Sequence, residues 1–365
     1  MSSETRVKIV NAVVIILAIY FFLLSIKLLG HSFKLFGGGF AAVMIQMTSN
    51  PFAGLIIGIV ATSLIQSSST TTSIVVGLVA GGALSLGNAI PIIMGANIGT
   101  TITNTLVSLG YINSRIEFRR AFSAGIVHDF FNICAVIVLF PIELKFHIIE
   151  KIASALEMGF SNAGGLKMFN PLKFALDPAI NLIDRIFAPL PYASIAMMIF
   201  SLFLLFMALT YLIRTLRSLV LKKIEIVVNK YLFKNDLLGF GLGILITSVV
   251  QSSSITTSII IPLAGAGLIS VRQIFPYTLG TNIGTTVTAI LAALATQNHI
   301  AVTVAFSHLC FNIFGITIFY PLKFIPIKLA EFVGKKAAKS TKNLVLFITV
   351  YLLLYLIPVA LIFLT

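Results

Sequence analysis

Apolar residues run along this chain in long unbroken blocks, near 9–30, 87–110, 120–141, 195–213, 276–296, 300–321 and 343–364. Each block has about the 20 residues that a helix needs to cross a hydrocarbon core of roughly 30 Å. None alternates polar with apolar as the strands of a membrane barrel do. The pattern predicts an all-α membrane protein. Two further stretches, 52–83 and 237–269, are too long for one straight span, and IQSSSTTTS (65–73) and VQSSSITTS (250–258) interrupt them at their middles. Each reads as a re-entrant helical hairpin: about 14 residues on either side, at ~1.5 Å each, carry the tip close to the middle of the core. Broken backbone at that depth is tolerated only against protein or a wet cavity.

The second stretch repeats the first. Residues 54–103 align with 239–288 without a gap, identical at 24 of 50 positions, and the constant offset takes Gln66 to Gln251. After a five-residue deletion the match continues through His128-x3-Asn132 against His308-x3-Asn312 and Pro141 against Pro321. The chain divides into a first unit at 8–142, an extracellular linker at 143–194 and a second unit at 195–323. A basic segment and a final transmembrane helix follow at 324–365. Arg115, Arg119 and Arg120 follow the first GANIGTT, whereas ATQNHI at the matching place carries no cation. By the positive-inside rule the two units are therefore inserted upside down relative to each other. The same rule puts the N-terminus in the cytoplasm and the C-terminus outside, extracellular or periplasmic, for a multi-pass protein of the plasma (inner) membrane.

Composition agrees and removes other classes. Among 365 residues, 58% are hydrophobic and 10% charged, with a mean hydropathy of +1.07, which excludes a soluble globular domain. A net charge of +14 would suggest nucleic acid in a soluble chain, but here the basic residues gather between the apolar blocks and orient the protein instead. MSSETRVK leads into an apolar run with no small-residue cleavage site, so the first helix is retained. Cys134 and Cys310 lie in apolar blocks and read as small hydrophobes.

Residues 35–114 contain no Asp, Glu, Lys or Arg, and residues 237–322 only Arg272. A site at the two tips is thus built from neutral groups. Helix N-termini after each serine block suit an anion, and hydroxyl and carbonyl oxygens suit a hard cation such as sodium. Either ion alone would be poorly compensated in the membrane; bound together they offset each other. Local helix-capping by Ser and Thr competes with this reading, but repetition at matched positions weighs against it. Gly-x-Asn-Ile-Gly-Thr-Thr (95–101 and 280–286) reads as an unwound stretch able to line a site. His128-Asp129 beside serines admits an intramembrane hydrolase, yet the second unit has His308-Leu309, so catalysis is not expected.

At these motifs the chain resembles the type II sodium–phosphate cotransporter family. The likeness rests on IQSSSTTTSIVV, PIIMGANIGTTITNT, EFRRAF and VHDFFN in the first unit, and on VQSSSITTS, YTLGTNIGTTVTAILAALA and HLCFNI in the second. It implies inverted hairpins around a central site that imports inorganic phosphate with sodium, the cotransported ion, by alternating access. Carried over residue by residue, it puts phosphate at Ser67, Ser68, Ser69, Ser252, Ser253 and Ser254, with Asn97 and Asn282 beside them. It puts sodium at Gln251, Thr281, Thr285 and Thr288, with Gln66, Thr100 and Thr103 as first-unit counterparts. Phosphate, sodium and the lipid bilayer are the expected partners. Without fixed carboxylates at the tips, the expected stoichiometry is electroneutral: two sodium ions per divalent phosphate. A phosphate-sensing regulatory protein is the alternative.

Overall fold

The structure is a computed structural model and describes residues 3–165, 170–231, 235–340, 342–347, 349–350 and 353. Those residues fold as helices and turns. Helices α1 (Ser3–Leu35), α2 (Gly37–Met47), α3 (Pro51–Ile65), α4 (Ser68–Ala80), α5 (Leu86–Gly99), α6 (Ile102–Leu109) and α7 (Arg115–Phe146) make up the first part. Helices α8 (Ile148–Asn162) and α9 (Asn170–Phe187) form the connection. They are followed by α10 (Ala193–Tyr231), α11 (Asp236–Val250), α12 (Ser253–Ser258), α13 (Ile261–Gly265), α14 (Val271–Thr296), α15 (His299–Phe319) and α16 (Phe324–Ala337).

Six helical segments among the described residues are long and apolar enough to cross a membrane: α1, α5 with α6, α7, the first part of α10, α14 and α15. They coincide with six of the seven apolar blocks. Most of the seventh, 343–364, lies outside the described residues. Phe36 and Gly37, the latter at φ 82°, turn the chain sharply out of α1. Nothing lies within 4 Å of a Cβ built on Gly37, Gly38 or Gly39, so this triplet makes a turn and no close helix contact. Helix α2 then meets α3 at a 95° bend.

Helix α3 packs along α5, and α11 along α14, by the same device. A Cβ on Gly58 would stand 1.9 Å from the Ile92 carbonyl oxygen, and one on Gly95 2.0 Å from that of Leu55. In the second copy, a Cβ on Gly243 would stand 2.2 Å from the Tyr277 oxygen, and one on Gly280 2.1 Å from that of Phe240. Backbone meets backbone at all four places. This corrects the expectation of unwound Gly-x-Asn-Ile-Gly segments: Gly280–Thr286 lies inside the continuous α14, and Gly95–Gly99 ends α5, with only Thr100 and Thr101 breaking the helix. Their glycines exist for contact.

The linker is docked. Helix α9 lies against α1 through Lys27 Nζ on Asp177 Oδ1 at 2.5 Å and His31 Nε2 on Asp184 Oδ1 at 3.1 Å. Helix α8 buries Ile149, Ala153 and Glu157 against α15, where Glu157 Oε1 accepts from His299 Nδ1 at 2.6 Å. Between the two copies sits an aromatic core in which Phe131 meets Phe275 edge to face at 6.0 Å and Phe319 at 6.4 Å.

Candidate functional site

Each serine block folds as a helix break of one geometry. Helix α3 ends because Gln66 turns left-handed, φ 60°, while its N–H still closes onto the Thr62 carbonyl at 2.7 Å. Ser67 is extended, and its Oγ accepts from the Thr70 N–H at 3.2 Å, opening α4. Gln251 repeats this at φ 59° with its N–H on Thr247 at 2.7 Å, and Ser252 accepts from the Ile255 N–H at 3.4 Å. Short hydroxyl side chains suit that position because they satisfy an otherwise orphaned helix donor.

The two breaks meet. Ser69 Oγ donates to the Gln251 carbonyl at 3.2 Å, and Ser254 Oγ to the Thr100 carbonyl at 3.1 Å. Thr257 and Ser258 donate to Asn104 Oδ1 at 2.9 and 3.1 Å. Ser68, Ser69, Ser253 and Ser254 are buried, while Ser67 and Ser252 are partly exposed. Among the described residues, the Ser68 and Ser253 hydroxyls make no hydrogen bond, and these two occupy matched positions in the repeat.

Beside each break the glutamine amide is held by a threonine. Thr103 Oγ1 donates to Gln66 Oε1, and Thr288 Oγ1 to Gln251 Oε1, both at 2.7 Å. Gln66 is exposed, whereas Gln251 is only 8% exposed and Thr288 is fully buried. Thr100, Thr281 and Thr285 donate back to Ala96, Thr278 and Thr281 carbonyls at 2.9, 2.8 and 2.9 Å. A hydroxyl whose proton is engaged in this way still offers oxygen lone pairs.

Asn97 and Asn282 belong to a buried chain of amides and imidazoles that crosses between the copies. His128 Nε2 donates to Asn282 Oδ1 at 2.5 Å, Asn282 Nδ2 to Asn132 Oδ1 at 2.8 Å, and Asn132 Nδ2 to the Asn97 carbonyl at 2.7 Å. His308 Nε2 reaches Asn97 Oδ1 at 3.4 Å. The histidine of each copy thus addresses the asparagine of the other. Sequence reasoning left these histidines out of the site; the signal was there, in the repetition of His-x3-Asn. Asp129, next to His128, is buried with both carboxyl oxygens lacking a hydrogen-bond partner, as is Thr105 Oγ1.

At the entrance to α11, Asp236 accepts from Lys323 Nζ at 2.5 Å and from the Tyr320 hydroxyl at 3.1 Å. The Lys323 ammonium holds the Asp236 carboxyl below the usual carboxylate range. This pair therefore persists through neutral pH and is lost only as pH falls through that lowered value.

Paired broken helices whose tips meet in a buried, hydroxyl-rich and uncharged cluster, inside a bundle of membrane-length helices, are an architecture of secondary transporters. The chain belongs to the Na+/Pi-cotransporter family, whose model matches residues 21–162 and 192–326. It is 35% identical to sodium-dependent phosphate transport protein 2A of Ovis aries, across 92% of this chain and 65% of the relative. It is 32% identical to sodium-dependent phosphate transport protein 2B of Homo sapiens, across 93% of this chain and 63% of the relative. The chain thus spans under two thirds of the length of these relatives. No solved structure matches it.

Proposed function

We propose that this chain is a sodium-coupled cotransporter that imports inorganic phosphate across the plasma membrane by alternating access, and that its two units are inverted repeats carrying re-entrant hairpins. The observation that carries this reading is the pairing of two equivalent helix N-termini, each with an unpartnered hydroxyl, Ser68 and Ser253, beside a threonine-held glutamine. Phosphate oxygens accept from Ser68, Ser253 and the first-turn N–H groups of α4 and α12, with Ser67 and Ser252 at the rim. Ser69 and Ser254 hold the tips against each other through their backbone contacts. The oxygens of Gln251, Thr281, Thr285 and Thr288, and of Gln66, Thr100 and Thr103, are ligands of the type sodium takes. Asn97 and Asn282 act through the histidine chain that joins the units, placing the tips rather than touching phosphate.

Cation and anion offset each other's cost of burial, so each binds tighter when the other is present. Two sodium ions with one divalent phosphate make the bound state neutral. Asp129 is the carboxyl on which that count depends.

The test is uptake of labelled phosphate by the chain reconstituted in liposomes, with and without a sodium gradient. Sodium-driven uptake is expected, falling roughly 10- to 150-fold in Ser68→Ala or Ser253→Ala, since losing a donor to a charged ligand costs about 1.5–3 kcal/mol. Uptake indifferent to sodium, or at wild-type level in the double variant, would refute the site. With voltage clamped by potassium and valinomycin, equal rates at zero and inside-negative potential support neutral cotransport. Acceleration by negative potential that vanishes in Asp129→Asn would replace that stoichiometry with one including a third cation.

A further inference from the structure

Transport as proposed leaves unused a cavity of about 540 Å³ whose lining includes no residue of either serine block. Three elements form it: α7 with Arg119, Arg120 and Ser123, the corner 267–273 that leads into α14, and α16 with Glu331 and Lys335. Arg119, Arg120 and Lys335 are exposed, and none makes an ion pair among the described residues. Three unpaired cations, two from α7 and one from α16, therefore line the space with Glu331 as the one lining carboxylate. A lining with this excess of positive charge attracts an anion.

The cavity is firmly framed. Arg120 lies over Gly267, where a Cβ would come within 2.4 Å of its Nη1, and Gly334 of α16 packs onto Ser123 so closely that a Cβ would stand 2.1 Å from the hydroxyl. Its volume falls within the range of organic-ligand sites and exceeds what one inorganic phosphate needs. Its level in the membrane follows from α16, whose Phe324 and Phe332 are 52% and 59% exposed with Lys328 and Lys336 ammoniums 5.7 and 5.5 Å over their rings. A helix that mixes exposed rings with lysines lies at the headgroup boundary.

We propose that this cavity binds a headgroup carrying more than one phosphate, supplied by an anionic membrane lipid, and that its occupancy ties α7 of the first unit to α14 of the second and to α16 beyond it. An anion there favours the arrangement of units seen in this structure over any in which these elements separate.

The test uses the purified full chain with fluorescent cardiolipin, a lipid bearing two phosphates, against fluorescent phosphatidylcholine in neutral micelles, with pyrophosphate as the chain-free competitor. Preferential cardiolipin binding is expected, weakened about thirtyfold by Arg119→Gln with Arg120→Gln, at roughly 1 kcal/mol per cation. Glu331→Gln should tighten it, a gain that misfolding would not produce. Equal retention of both lipids, or cardiolipin binding unchanged in both variants, overturns the site. Displacement by equimolar pyrophosphate overturns the membrane source and leaves a free polyphosphate as the ligand. Binding is read without transport, so the outcome is separable from what the chain carries.

Discussion

Gln66 and Gln251 show how one residue can hold equal geometry in unequal surroundings. Both accept from a threonine at 2.7 Å, but only Gln251 and its partner Thr288 are buried. Removing a donor from a buried acceptor costs about 1–3 kcal/mol, while an exposed acceptor finds water. Thr288→Val, which keeps the shape and deletes the hydroxyl, is therefore expected to lower the thermal midpoint in detergent clearly. Thr103→Val, its equivalent, should lower it by much less. Equal losses would mean that the two tips share one environment. The asymmetry itself was not legible in the sequence, because QSSS reads the same both times and burial depends on what packs over each copy.

At the scale of elements, the glycines of α3, α5, α11 and α14 decide which helices touch. Gly280→Ala drives a Cβ to 2.1 Å from the Phe240 oxygen, so α11 and α14 must part. Overpacking of this kind costs about 1–3 kcal/mol or more. Gly241→Ala, on the same α11 with nothing within 4 Å, should instead be neutral or gain up to about 1 kcal/mol from helix propensity. Comparing thermal midpoints of the two variants checks the assignment, and a neutral Gly280→Ala would sink it. The sequence marked the glycines of α5 and α14 as special but for the wrong reason, and did not mark their partners Gly58 and Gly243. Gly-x-Asn-Ile-Gly is compatible with unwinding and with close packing, and only the partner helix distinguishes them. The breaks at Gln66 and Gln251, by contrast, were readable because a polar run inside an apolar one has few places to go.

Across the whole molecule, the two copies are joined through side chains that sequence spacing could not pair. His128 finds Asn282 and His308 finds Asn97, contacts that arise only once the copies fold against each other. Another such junction allows movement to be tested directly. A Cβ on Gly315 of α15 would lie 3.1 Å from Ala135 Cβ of α7, close to the 3.5–4.5 Å span of a disulfide. With Cys134 and Cys310 replaced by alanine, Ala135→Cys with Gly315→Cys should cross-link on oxidation. If the units move against each other during transport, oxidation stops uptake and a reductant restores it. Full uptake by the cross-linked protein would confine any movement to the hairpins themselves.

The left-handed backbone at Gln66 and Gln251 sets stability against use. An L side chain at φ near 60° costs roughly 1–2 kcal/mol that glycine does not. Each glutamine is thus retained where the fold alone would prefer a smaller residue. Populations evolved for heat resistance alone would drift toward glycine there, and those evolved for uptake would hold glutamine. The drift would start at 66, where the amide is exposed and its loss opens no gap, and would come later, if at all, at 251, where the amide fills space that nothing else occupies.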